Sequence, residues 1–356
     1  MEKKIAVIGG GFYGIMAAID ASDLSDVSNV VLYEKEDQLF TGAGKYNQAR
    51  IHHGFHYPRS QRTIDQSKAG FEYYKNRFPD VVMPISNNIY LIREDGCVSI
   101  EKYLSVMRKH GLDFEITDMS TFPFKYNAAG INYASILVKE GYINVGILES
   151  ILKKRLSDAD VEVKLGKNVV KIDVNAGEVY TQCGMSEDYD LIINCTYLNP
   201  FMGFSKEPVR LKYEYCMMLL IYSKKINDHA ITIMDGEFVS IYPWLDGIHS
   251  VSSVKYTPIF KSDKLNDLLE KMKNITKSEI EERARLIESH MNKFVDFEYS
   301  KISYLLSPKM KIFDDKGDER TVQTFSEGKC FSVIPGKLDA VSIFLSDLEL
   351  FMESLN

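Results

Sequence analysis

The chain is poor in the features that would take it out of a reducing, aqueous compartment. Among 356 residues it has five cysteines: Cys97, Cys183, Cys195, Cys216 and Cys330. The number is odd and none stands in a C-x-x-C pair, which argues against a disulfide framework or a zinc ribbon. Small buried core residues are expected for most of them. Positive charge is not in excess either. The net charge of −7 leaves no broad basic face for nucleic-acid phosphates. No apolar run reaches the ~20 residues needed to cross a bilayer. The opening "MEKKIAVIGGGFYGIMAAI" mimics a signal peptide, but three glycines break its apolar run and no small-x-small cleavage site follows. Repeats, low-complexity segments and a flexible linker are also missing. These absences lead to the expectation of a soluble cytoplasmic protein with a small-molecule substrate, built as one large or two modest domains.

What is present reads as alternating strands and helices. Ile5 to Ile8 is a short buried strand, Gly9 to Gly11 a turn, and Tyr13 to Ala21 an apolar helix. "NVVLYEKE" is a second strand that ends in charge at Glu34, completing a β-α-β unit. Asn47 to Ser60 reads as a loop, and Ile64 to Phe78 as a helix that stops before Pro79. "VGILESILKKRLSD" is an amphipathic helix, and "VEVKLGKNVVKIDV" and "GEVYTQCG" look like strands. "YDLIINCTY" has the unbroken apolar character of a strand buried on both faces. Residues 208 to 260 alternate and are rich in aromatics, which predicts an antiparallel sheet. Leu265 to Lys293 reads as one long charged helical region, with Glu279 to Glu288 on its solvated face. A strand, a Pro-Gly turn and a closing helix end the chain.

The first unit carries Gly9-x-Gly11-x-x-Gly14 directly after a strand and at the start of a helix. Gly9 permits the tight turn. Gly11 lets backbone approach a pyrophosphate, and Gly14 lets the helix pack against the strand. The helix N-terminus, with the backbone of Phe12 and Tyr13, offers free N–H groups and a positive dipole end. Glu34 falls twenty residues beyond Gly14, where a carboxylate accepts hydrogen bonds from an adenosine ribose. The fingerprint does not separate FAD from NAD, and Glu34 favours a free ribose hydroxyl over a 2′-phosphate.

The segment after the acid, "EKEDQLFTGAGKYNQARIHHG", resembles the D-amino-acid-oxidase-like (DAO) family of FAD-dependent oxidoreductases. The resemblance implies that Lys35 follows the ribose-binding acid. It also implies that Thr41, Gly42, Asn47, Gln48, Ala49 and Arg50 run past the flavin's phosphates and ring. "GYINVGILESILKKRL" with "VEVKLGKNVVKIDV" is similar to the family's return to its cofactor domain, where Val169 and Val170 meet the adenine. "YDLIINCT" is similar to the strand that passes beneath the cofactor. It lacks the usual closing glycine, which weakens the assignment of Thr196. The tail "SVIPGKLDAV" is similar to the Gly-Gly-Lys-Leu-Thr turn of flavin-dependent glycerol phosphate dehydrogenases. That puts Gly336, Lys337 and Leu338 beside the flavin's pyrimidine edge, where a helix N-terminus and a lysine would stabilise negative charge. Asp339 and Ala340 replace that family's threonine and arginine, so a glycerol phosphate substrate is not implied.

"NQARIHHGFHYPRS" holds three of the seven histidines. H-H-x-x-H is not a zinc pattern, and no acid or cysteine completes a shell before Asp65, so no metal is expected. The loop instead reads as lining for the flavin and substrate space. Arg50 and Arg59 are candidate anchors for a carboxylate or phosphate. His53 and His56 are candidate hydrogen-bonding or basic groups, with Lys337 as a further catalytic candidate. The bland alternative, a histidine that only ties down its loop, has equal weight for any one of them. The loop is also similar to the glycine-and-histidine segment of UDP-galactopyranose mutases, which implies a non-redox sugar rearrangement. Cys330 is a candidate for covalent FAD attachment or a buried core thiol, with non-covalent FAD the expectation. Tyr242 and Trp244 face substrate or fill the core, and Arg210 and Arg320 anchor anions or pair at the surface.

The reading is thus an α/β, glutathione-reductase-like and DAO-like flavoprotein with a Rossmann-type FAD domain and an antiparallel-sheet substrate domain. The expected FAD parts are residues 1–85, 144–205 and 321–356, and the substrate parts 86–143 and 206–320. The expected activity is hydride transfer to flavin from a C–H beside an amine or hydroxyl of a small amino acid, hydroxy acid or sugar-type substrate, an anionic one included. The alternatives are a nucleotide-sugar mutase and a non-catalytic FAD- or NAD-binding protein. Neither a nucleic acid nor a membrane span is expected, and the oligomeric state stays open.

Overall fold

A computed structural model describes residues 2–184, 186–245, 247–313 and 321–355. Its first sheet has six strands in the spatial order Val161–Lys164, β2 (Val27–Tyr33), β1 (Lys3–Ile8), Leu191–Asn194, Cys330–Ile334 and Gln323–Glu327. The first five run parallel, and the sixth folds back antiparallel as an edge hairpin. Alternation explains why these strands read as continuous apolar runs. Ile5 and Val7 of β1 face helix α1 (Phe12–Ser22) and the closing helix Val341–Ser354, whereas Ala6 and Ile8 face the opposite core. A strand buried on both sides needs apolar residues at every position. "VEVKLGKNVVKIDV" is divided between sheets: Val161–Lys164 joins the parallel one, and Val169–Asp173 starts a three-stranded antiparallel meander.

The second sheet has nine strands. Its long strand Leu211–Tyr222 pairs along its length with Ser300–Ile312. Period two sorts its faces. Met217, Leu219, Ile221, Ile231, Ile233, Ile241 and Val251 pack on one side against the helix Lys277–Met291. The intervening Met218, Leu220, Thr232, Ser240, Tyr242, Trp244 and Ser250 therefore face the other way, towards the cofactor-side loop. Residues 208 to 260 pair antiparallel with one another as expected, and their sheet also takes in a parallel neighbour. His229–Met234 runs parallel to Asn87–Arg93, a pairing between segments far apart in the chain that local alternation cannot reveal. The helical region expected over Leu265 to Lys293 is made of two helices, Leu265–Asn274 and Lys277–Met291. Thr276 stops the first and caps the second in a reciprocal box with Glu279.

Two links tie the cofactor-side chain to these sheets. Helix α2 (Gln61–Arg77) starts at Ser60, whose side chain accepts the Thr63 N–H. Within the expected loop, Arg50–Ile51 forms a short strand against Gly141–Ile143. That strand also takes Val82–Pro84 on its other edge, and a Cβ on Gly141 would lie 2.5 Å from the Met83 carbonyl oxygen. No helix among the described residues is long and apolar enough to cross a membrane.

Candidate active site

The glycine turn has the shape its chemistry requires. Gly9 has φ +106°, and a Cβ there would lie 2.7 Å from the Cys195 carbonyl oxygen. A Cβ on Gly14 would sit 1.8 Å from the Gly9 oxygen, so helix and strand approach only because both are glycine. Gly11 is different. Open space surrounds its Cβ position, and it begins α1 without a side-chain cap or an acid in the first turn. The first N–H groups of the helix are thus left to an anion. Glu34 is buried at the end of β2 and accepts the Gly10 N–H at 2.6 Å and the Glu36 N–H at 2.9 Å. Thr196 lies against Gly9, and its hydroxyl donates to Asn199 O at 2.8 Å.

Three non-glycine residues beside this turn hold left-handed backbone: Phe40 (φ 64°), Ala49 (φ 47°) and Tyr197 (φ 65°). Such conformations persist where the surroundings over-determine them. Phe40 N–H bonds the Gly10 carbonyl. Asn47 accepts the Ala49 N–H at 2.5 Å and donates back to Ala43 and Gly44. Residues 41 to 48 of this loop are half-buried or exposed, as a surface that a bound group would cover.

Tyr46, Gln48 and Arg50 reach across from the loop to the large sheet. Gln48 donates to Ser250 and accepts from Ser252 at 3.2 Å and Ser240 at 3.4 Å. The Arg50 guanidinium lies 4.1 Å from the Tyr242 ring centroid and donates through Nη1 to Thr232 Oγ1 at 3.0 Å. Its Nε and Nη2 are enclosed and meet no acceptor among the described residues. Tyr242 donates to the Gly141 carbonyl and accepts from Asn88. Beneath this cation lies Glu140, which the sequence reading missed. Its carboxylate accepts the His53 N–H and the Tyr90 hydroxyl, each at 2.7 Å, and His52 Nδ1 stands 3.7 Å away. Burial raises the Glu140 pKa against the opposing pull of Tyr90, His53 and Arg50. No spacing motif marks Glu140, because the fold alone brings residues 53, 90 and 140 together.

The other expected residues are placed as follows. His52 and His56 stack at 5.2 Å, beside Tyr57. His53 turns away onto Phe71, and burial lowers its pKa, with Glu140 opposing. Arg59 pairs with Asp235 at 2.9 Å. The Lys337 side chain is largely enclosed. Its ammonium bonds Ser67 Oγ at 2.8 Å and pairs with buried Asp339 at 3.2 Å, over the Tyr57 ring. Burial works to lower its pKa, but Tyr57 and Asp339 outweigh it and the net shift is upward. The Phe12 and Tyr13 side chains point into the core, against Tyr74 and Phe344, leaving only their backbone to a cofactor. Tyr13 donates to the Lys337 carbonyl, and Leu338 packs near Gly44, so the Gly336–Leu338 turn does meet the glycine-rich end. Lys35 is exposed on Glu36, Val169 is buried and Val170 is 52% exposed. Thr41 is half-buried and Gly42 exposed, with open space where its Cβ would be. Cys195 and Cys330 are buried, and burial raises both thiol pKa values, but Cys97 and Cys183 are exposed and not core residues. Arg210 stacks on Phe313, and Arg320 lies outside the described residues.

A parallel sheet with a glycine turn, an uncapped helix start and a strand-end acid defines a dinucleotide-binding fold, here facing a second sheet across a polar seam. The family model described as FAD dependent oxidoreductase (DAO) matches residues 4–298, and the chain belongs to that family. It is 25% identical over 347 residues to the FAD-dependent monooxygenase FPY4 of Fusarium mangiferae, covering 95% of this chain and 88% of that one. The fold is similar to that of L-α-glycerophosphate oxidase from Mycoplasma pneumoniae with FAD bound (TM-score 0.71, 14% identity, 97% and 93% of the two chains). It is also similar to glycine oxidase from Bacillus cereus (TM-score 0.69, 13% identity, 98% and 94%). The protein is therefore an FAD-dependent enzyme. Its residues fit that cofactor: Gly11 is open where a pyrophosphate approaches, and Glu34 closes β2.

Proposed function

We propose that the enzyme oxidises a small carboxylate at a C–H bearing an amine or hydroxyl, with the substrate held between the cofactor loop and the polar face of the large sheet. Bound FAD supplies the hydride acceptor. The observation that carries this reading is Arg50: a cation on a rigid two-residue strand, stacked on Tyr242, with two donors lacking acceptors. A guanidinium edge fits a carboxylate by paired hydrogen bonds. Residues 1–85, 144–205 and 321–356 would form the cofactor half, and 86–143 and 206–320 the substrate half. Gly9, Gly11, Gly14, Glu34, Thr41, Gly42, Asn47, Ala49, Thr196 and the Gly336–Leu338 turn are the proposed cofactor contacts. Gln48 and Arg50 are the residues that position substrate against it.

The test is anaerobic titration of the purified protein with amino acids, hydroxy acids and nucleotide sugars while the flavin absorption is followed. Bleaching by a carboxylate with an α-amine or α-hydroxyl is expected. A flavin that bleaches with none, yet supports sugar isomerisation after chemical reduction, would replace this reading by the mutase one. The similarity to a protein named as a monooxygenase favours a second reading, oxygen insertion. Turnover under ¹⁸O₂ separates the two, because only insertion labels the organic product.

A further inference from the structure

Polarity is graded across the sheet face that meets the loop. Arg50 reaches Thr232 and Tyr242 at one end. Gln48 meets the hydroxyls of Ser240, Ser250 and Ser252 in the middle. Tyr46 packs at the other end with Met218, Leu220, Leu305, Ile248 and Trp244. Trp244 lies at a bulge in the same strand as Tyr242, and its packing on Met218 and Leu220 places it on this face. Met218 and Leu220 are buried, but Tyr46, Trp244 and Ile248 are only half-buried. Large apolar side chains left partly open at one end of a polar face, with a cation at the other, form an amphipathic wall. A short polar substrate would leave that wall wet, and a ring-sized apolar group would cover it.

We propose, building on the carboxylate assigned to Arg50, that Trp244, Met218, Leu220 and Tyr46 form a specificity subsite for an apolar group of the substrate. The enzyme then takes carboxylates bearing an aromatic or branched aliphatic group and discriminates against short polar ones.

Trp244 is the only tryptophan in the chain, so its emission reports this wall alone. The experiment titrates the FAD-loaded protein with 3-phenylpropanoate, acetate and neutral 3-phenylpropanol, reading Trp244 emission and flavin absorption together. Expected is a shift in Trp244 emission with 3-phenylpropanoate at a concentration at least tenfold below that at which acetate competes. Equal affinity for the two acids, or aryl ligands that perturb the flavin but leave Trp244 emission unmoved, would overturn the subsite. Equal binding of the neutral alcohol would support the wall and overturn the carboxylate reading, so the two claims fail separately. A Leu220→Ser variant that retains flavin should lose the preference for 3-phenylpropanoate over acetate, and an unchanged preference there would count against the subsite.

Discussion

At the scale of single residues, Arg50 differs from a surface arginine in what its donors meet. An enclosed guanidinium with one bond to Thr232 and two idle donors carries an unsatisfied-donor cost of about 1–3 kcal/mol, which a bound carboxylate would remove. Arg50→Lys keeps the charge but not the planar fork, so it should raise KM for a carboxylate substrate roughly 10- to 100-fold. Steady-state kinetics check this, and a change confined to kcat would argue against anchoring. Glu140 makes a different prediction. Burial raises its pKa, so the folded protein holds that proton more tightly than the unfolded chain. Its contribution to stability is full below the ordinary carboxylate pKa and is lost as pH rises through the raised folded value. Glu140→Gln should cost about 1 kcal/mol near pH 4, where it weakens one of the bonds to Tyr90 and His53, and less near pH 8. Thermal melts of both proteins across that range test it, and parallel curves would remove Glu140 as a titrating group. Arg50 was legible in the sequence as a cation after a flavin-type loop. Glu140 was not, since a lone acid before Gly141 has no pattern, and its partners come from three separate segments. Arg59 was legible as a cation too, but its partner Asp235, 176 residues away, was not.

At the scale of elements, the glycine turn separates two roles that the fingerprint merges. A methyl on Gly14 would meet the Gly9 oxygen at 1.8 Å and push α1 off β1. A methyl on Gly11 meets nothing within 4 Å, and its backbone is ordinary. Gly14→Ala should therefore lower the melting temperature of the FAD-free protein and also empty it of flavin. Gly11→Ala should leave that melting temperature within about 1 °C, a shift below 1 kcal/mol for a chain of this size, yet reduce flavin content. Absorbance at the flavin band and a melt of each variant settle the comparison, and equal destabilisation by both would refute it. Such a turn is easy to read because strand, glycine spacing and helix are local. The closing acid is legible for the same reason. The parallel pairing of His229–Met234 with Asn87–Arg93 was hidden, as were the extended pairing of Arg50–Ile51 and the break at Thr276. The first two depend on segments about 90 to 140 residues apart meeting in space, and the third on a cap that overrides a run of good helix formers.

At the scale of the whole molecule, the chain passes between its two sheets several times, and the seam between them is bonded. Gln48 and Arg50 clip the cofactor loop to the large sheet. A cofactor held by residues of the first sheet should then stabilise the second. A ligand at a hundred times its dissociation constant adds about 2.7 kcal/mol to whatever unfolds with its site. Trp244 belongs to the large sheet, so its emission follows that sheet alone, whereas circular dichroism follows every helix and strand. Adding FAD to the stripped protein should raise the urea midpoint read by Trp244 emission as much as the midpoint read by circular dichroism, with the two transitions coincident. Gln48→Ala should pull the transitions apart if the seam is what couples them. Were Trp244 to unfold at the same urea concentration with and without FAD, the sheets would be independent units. The substrate face would then not be ordered by the cofactor it has to meet.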